Sequence, residues 1–233
     1  MQYPASVRHS SRLIAALIAS LILWFNSALA ADRPGIVQAG FSPDAHYHLL
    51  LTAYDQDGSG FPVAAIQITD VRRNAVVYSV RKTWNTDTGV VAPGDPAAAL
   101  KASQAAVLAH YGLSRPVSGQ RLFMIAPLPM LAYPADQPAY RVTSLGILTL
   151  TPMALRSGCD YNDFPTRGFV LRLGQQVLQR DSRLPTSRQC ASGYSLETAW
   201  TYKSSLVVIV RSYAQAFEGP NVFPLVVTGR LKQ

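Results

Sequence analysis

The sequence predicts a mainly β fold, all-β or α+β. Its antiparallel sheets should be sandwich-like or partial-propeller-like, with one covering helix near residues 96–111. Three observations lead there. Apolar, β-branched runs of strand length recur from residue 47 to residue 231. The 16 prolines and 15 glycines are scattered between those runs, as many tight turns require. One window alone, 97–111, carries apolar residues at helical spacing.

Taken in chain order, the first element is a leader. Arg8 and Arg12 precede an apolar stretch at 13–25, and Ala28-Leu29-Ala30 places small residues where signal peptidase reads. Positive, apolar and small-residue parts in that order predict a cleavable signal peptide at 1–30 and a single exported domain at 31–233. A membrane anchor needs roughly 20 apolar residues, and Ser20, Asn26 and Ser27 interrupt this one. Later apolar runs such as 206–210 are strand length, so no span is expected after cleavage.

Runs 47–54 and 63–71 flank Asp55-Gln56-Asp57-Gly58-Ser59-Gly60, the pattern of a hairpin with a long glycine loop. Asn74 turns the chain into a strand at 75–80. The helix has Asp95 as cap, Pro96 at its first position, Leu100, Val107, Leu108 and Tyr111 on one stripe, and Gly112 as terminator. Further strands are expected at 121–126, 140–150, 168–173, 196–202, 206–213 and 222–231. Phe-Pro recurs at 61, 164 and 223, but the irregular spacing argues against a repeat.

Cys159 and Cys190 are the two cysteines. An even pair in an oxidising compartment predicts a disulfide. Closing that loop restricts the unfolded chain by about 3–4 kcal/mol. The formal charge is +8, and loss of Arg8 and Arg12 leaves 19 basic against 13 acidic residues, +6. Only Arg72-Arg73 and Arg81-Lys82 are adjacent, whereas nucleic-acid binders cluster basic residues on one face. No nucleic-acid partner is expected.

Residues 40–62 read Gly40-Phe41-Ser42-Pro43-Asp44, then Tyr47, then Gln56 to Pro62 as QDGSGFP; Phe217-Glu218-Gly219-Pro220-Asn221 follows near the other end. With these blocks the chain resembles the bacterial family of predicted secreted proteins known as domain of unknown function 2259. It departs at Ala45 and Ala216, where members usually carry glycine. The resemblance implies a secreted or periplasmic protein without an assigned activity. The Ser42-Pro43-Asp44 opening is also similar to the first strand of a Tol-type propeller repeat, but one such unit makes no propeller.

The chemistry-bearing residues form no strong constellation. Asp55, Asp57 and Ser59 with Gly60 match the start of a calcium loop, but position 12 is Ile66 where a bidentate Glu belongs. A hairpin loop whose Asp side chains bond their own backbone is the simpler reading. His46 and His48 would share one strand face, yet a metal wants three or four ligands. Neither metal nor cofactor is expected: no phosphate-cradling glycine loop occurs, and Ser59 stands outside a nucleophile elbow. Asp160, Asp163, Asp181, Glu197 and Glu218 are the acids from which a glycosidase pair would be drawn. Asp160 and Asp163 read as turn residues beside the disulfide, and Glu218 as a turn carboxylate before Gly-Pro. Trp84 and Trp200 read as core aromatics. The expectation is an exported binding or structural protein meeting an envelope or extracellular partner. A secreted hydrolase working through acidic residues is the alternative, to be told apart by two carboxylates converging in a cleft.

Overall fold

A computed structural model describes residues 31–159 and 164–231; the leader at 1–30, Asp160 and Asp163 lie outside the described residues. The strands β1 (Gly35–Phe41), β2 (Tyr47–Asp55), β3 (Pro62–Asp70) and β4 (Ala75–Thr83) pair in order as a first antiparallel sheet. Helices α1 (Pro96–Ser103) and α2 (Ala105–His110) follow, then β5 (Gln120–Met124). The third sheet of the stack joins β6 (Ala139–Thr143), β7 (Gly146–Ala154), β8 (Arg167–Leu173) and β9 (Gln176–Arg180) in order. The last strands, β10 (Ala191–Tyr202), β11 (Ser205–Ala216) and β12 (Gly219–Arg230), complete a middle sheet ordered β12-β11-β10-β5.

The name "middle" follows from β11. Its run Leu206-Val207-Val208-Ile209-Val210 is apolar on both faces, and each of these side chains is at most 1% exposed. Leu206, Val208 and Val210 enter a core with Leu148, Leu150, Phe169 and Leu171 of the β6–β9 sheet. Val207 and Ile209 enter another with Phe41, Leu50 and Val71 of the first sheet. Side chains alternate along a strand, so an unbroken apolar run needs a cover on each side. Burying each such side chain stabilises by about 1.5–3 kcal/mol. The outer face of the first sheet (Leu49, Leu51, Ile66, Ile68) packs on Leu100, Leu108, Leu113 and Trp84. The molecule is therefore four layers deep: helices, first sheet, middle sheet, third sheet. No helix among the described residues is long and apolar enough to cross a membrane.

The mainly β architecture and the disulfide, with Cα atoms 5.1 Å apart, agree with the sequence reading. So do the Asp95 cap on the Ala98 amide and the stripe of Leu100, Val107, Leu108 and Tyr111. Four expectations need correction. The single helix is two, broken at Gln104 (φ −105°, ψ 17°), where the Ser103 hydroxyl bonds back to the Leu100 carbonyl at 2.8 Å; such back-bonding bends helices. The strand expected at 140–150 is the β6–β7 hairpin, because the Thr143 hydroxyl accepts from the Leu145 amide and Gly146 adopts φ +118°. Strands β1 and β9 went unforeseen, being short and polar-interrupted. His46 and His48 do not share a face: His46 lies in the exposed turn before β2, 3.2 Å from Asp44, whereas His48 is buried. In that same turn Ala45 adopts φ +64°, a conformation that glycine takes without steric cost.

The chain edge β12 is guarded. The Val222 amide donates outward to the Asp32 carbonyl (2.8 Å), and the Thr228 amide donates outward to Asn74 Oδ1 (2.8 Å). By the two-residue period, Pro220 and Pro224 occupy the same outward register, where proline removes a donor that could recruit a foreign strand.

His48 is 1% exposed between the first and middle sheets, its ring 5.1 Å from Phe41 and 6.4 Å from Trp200, and neither ring nitrogen has a hydrogen-bond partner. Burial pushes its pKa down to about 3. An unfolded imidazole titrates near pH 6.5, so between these values the unfolded chain binds the extra proton. Stability is then full above about pH 6.5 and falls on acidification by up to about 1.4 kcal/mol per pH unit. Urea midpoints measured against pH check this: His48→Leu flattens the slope, and an unchanged slope contradicts it.

Candidate functional site

Where the first and middle sheets part company, a cleft of about 560 Å³ opens along the β12 edge. The cause is legible in the alternation of the first sheet. On the face turned to the middle sheet, β2 offers Leu50, Thr52 and Tyr54; β3 offers Ala65 and Gln67 opposite them; β4 offers Ser79 and Arg81. Beyond Leu50 these are small or polar, so the sheet faces are not drawn into a dry contact there. The cleft also takes in Ser212, Ala214, Asn221 and Phe223, which lie on the β11–β12 face of Val208 and Val210, so it runs round the β12 edge, with the segment 186–191 ahead of β10 closing one side. Among these lining residues none is Asp, Glu or His.

Arg81 lies over the Tyr54 ring, its guanidinium carbon 5.6 Å from the centroid, and has no carboxylate partner among the described residues. The Tyr54 hydroxyl donates to Asp32 Oδ2 at 3.3 Å. Burial and the Asp32 charge push the phenol up to about 12, so it keeps its proton. The cleft wall therefore combines a cation outside any ion pair among the described residues with hydroxyls, amides and two aromatic faces.

Asp32 also joins the two sequence blocks singled out above. Its Oδ1 accepts the Asp57 amide (2.9 Å), its own amide donates to Asn221 Oδ1 (2.7 Å), and its carbonyl accepts the Val222 amide (2.8 Å). The Asp55–Gly60 loop and the Glu218-Gly219-Pro220-Asn221 stretch thus sit at the same end of the cleft. The loop is closed by backbone bonds, Gln56 to Phe61 and Gly60 to Gln56, with Gly58 and Gly60 at φ +71° and +66°. Among the described residues the Asp55 and Asp57 carboxylates bond no backbone amide; Ser59 Oγ accepts from Phe61 and Asp32 does the rest. That corrects the self-bonded loop expected from sequence. Glu218 is exposed in the two-residue β11–β12 turn beside Phe217, which is 95% exposed.

Asp181 and Glu197 are held in ion pairs. Asp181 and Arg188 pair through both carboxylate oxygens at 2.9 Å, and Arg188 stacks over Phe169 and Tyr194. Gly168 makes room for this pair: a Cβ there would lie 2.9 Å from Asp181 Cβ. Burial works to raise the Asp181 pKa, but hydrogen bonds from Arg188 and Gln179, the Arg188 charge and the Phe169 amide outweigh it and hold the carboxyl below its ordinary value. Glu197 pairs with Arg211 (2.6 Å), whose guanidinium also donates to the Pro34 carbonyl. Trp84 fills the helix-side core, and Trp200 packs on the core between first and middle sheets. Among the described residues no group of three His, Cys, Asp or Glu could hold a metal ion.

Sequence reasoning passed over Asp32, Tyr54 and Arg81. Arg81 was legible only as half of a basic pair, and Asp32 only as the second residue after the leader. Asn221 was visible as the last residue of its motif. Arg188 anchors the wall on the 186–191 side, so truncating its partner leaves a buried charge unpaired. Asp181→Ala should cost about 3–5 kcal/mol in a urea unfolding experiment; a loss under about 1 kcal/mol contradicts the pairing's importance.

A family model described as predicted secreted protein, DUF2259, matches residues 50–230. No curated protein and no solved structure matches the chain. The match runs from within β2 to the end of β12 and takes in the cleft walls, the disulfide and the Glu218 turn: the chain belongs to the DUF2259 family of predicted secreted proteins.

Proposed function

We propose that the protein is a binding protein of the exported compartment, and that the β12-edge cleft takes an anionic, polyhydroxylated ligand such as an acidic oligosaccharide. The observation that carries this reading is the composition of the cleft. It is a concave volume of about 560 Å³ with a cation, Arg81, that has no ion-pair partner among the described residues, hydroxyls from Thr52, Ser79 and Ser212, and amides from Gln67 and Asn221. Pockets of this size, with a few convergent polar groups on an otherwise apolar wall, are the usual form of a ligand site. Tyr54 and Phe223 supply aromatic surface for a sugar ring, and guanidinium suits a carboxylate. Catalysis by an acid pair has less support, since Asp181 and Glu197 are committed to Arg188 and Arg211. The signal-peptide reading of residues 1–30 supports export, as does a disulfide.

Isothermal titration of residues 31–233 tests the reading, with oligogalacturonate as the anionic probe and dextran oligomers as the neutral one. The expected result is binding of the anionic probe alone, weakened by salt and reduced about tenfold or more in Arg81→Ala. Ser79→Trp, which fills the cleft from an exposed position, should abolish it. Absence of heat with both probes, or binding indifferent to both substitutions, overturns it.

A further inference from the structure

The outward face of the β6–β9 sheet belongs to none of the three cores. In the register of this sheet, Tyr140 opposes Thr149, Val142 opposes Ile147, Arg172 opposes Thr149 and Val177, and Val170 opposes Arg180. These positions alternate with Leu148, Leu150 and Leu171, which point into the middle sheet, so they share the far face. Its apolar members are strongly exposed: Val142 82%, Tyr140 62%, Ile147 50% and Val177 44%, with Leu145 at the hairpin tip 36%. Arg172 and Arg180 stand behind them, and neither has a carboxylate partner among the described residues. The four strands contain no Asp or Glu; of their four arginines Arg172 and Arg180 stand on this face, while Arg141 shares the register of Leu148 and Arg167 pairs with Asp136.

We propose that this face docks on an anionic phospholipid bilayer, with the β6–β7 hairpin entering the interface and Arg172 and Arg180 meeting headgroup phosphates. Two features select that occupant. An apolar fringe with a tyrosine beside unpaired arginines matches a surface that is greasy at depth and negative at its rim. A second copy of the chain fits poorly, because the same face of a partner copy brings arginines and no strand carboxylate to set against them. The proposal is independent of the cleft: none of these face residues lines it, and Arg81 takes no part.

Flotation of residues 31–233 with vesicles of phosphatidylglycerol and phosphatidylcholine, beside vesicles of phosphatidylcholine alone, reads it out. Binding to the mixed vesicles only, lost in high salt, is expected. Arg172→Gln and Arg180→Gln should each weaken it about fivefold, Val142→Asp should remove it, and Arg81→Ala should leave it unchanged. All four positions are exposed or half-buried on the surface, and thermal melts confirm that the variants fold. Failure to float with the mixed vesicles, equal binding to both vesicle types, or binding unaffected by the three face variants overturns the proposal. So does a dimer in light scattering that Val142→Asp dissolves while flotation stays absent.

Discussion

The two-sided burial of β11 is the constraint on which the rest of the molecule depends. A strand with apolar side chains on both faces cannot stand at a surface, so a sheet must lie on each side of it. The first sheet and the β6–β9 sheet are those covers, and the helices are the cover of the cover. The cleft is a consequence of incomplete covering. The first sheet meets the middle sheet with Phe41, Leu50 and Val71 at one end. Toward the other end, it offers Thr52, Ala65, Gln67 and Ser79, which give the middle sheet nothing to dehydrate against.

Polar contacts then fix how the layers sit. Asn74, at the β3–β4 turn with φ +50°, accepts from the Thr228 amide of the middle sheet and donates to Gln179 of the third. One side chain thereby ties three sheets, and satisfies an edge amide that would otherwise be open. Thr228 reinforces it by donating its hydroxyl to the Val71 carbonyl at 2.9 Å. At the far end Asp32 links the first sheet's loop to β12. The Cys159–Cys190 bridge and the Asp181–Arg188 pair hold the 186–191 segment that forms the remaining wall. A cleft between separately folded sheets keeps its shape only if such ties hold at both ends.

Much of the fold was legible. The run 206–210 announced a strand, the 47–71 stretch a hairpin, and Asp95-Pro96 a helix start. Strand-level periodicity is local, and local signals survive in one sequence. What was not legible is which sheet faces which: the β11 run states that it needs two covers without naming them. The site was harder still. The Asp55–Gly60 and Glu218–Asn221 blocks stand far apart in the chain, and their meeting depends on Asp32, a residue with no motif of its own. His48 shows the same limit from the other side. Paired with His46 in sequence, it reads as polar surface, and only the packing of Phe41 and Trp200 around it reveals a core residue.

Amide hydrogen exchange resolved along the chain tests the layered arrangement most directly. The amides of Leu206 to Val210 should be the slowest in the protein and exchange only through global unfolding, while those of the exposed edge strand β6 exchange through local opening. If β11 exchanged as readily as β6, its faces would not both be covered, and the account of the cleft would fall with them.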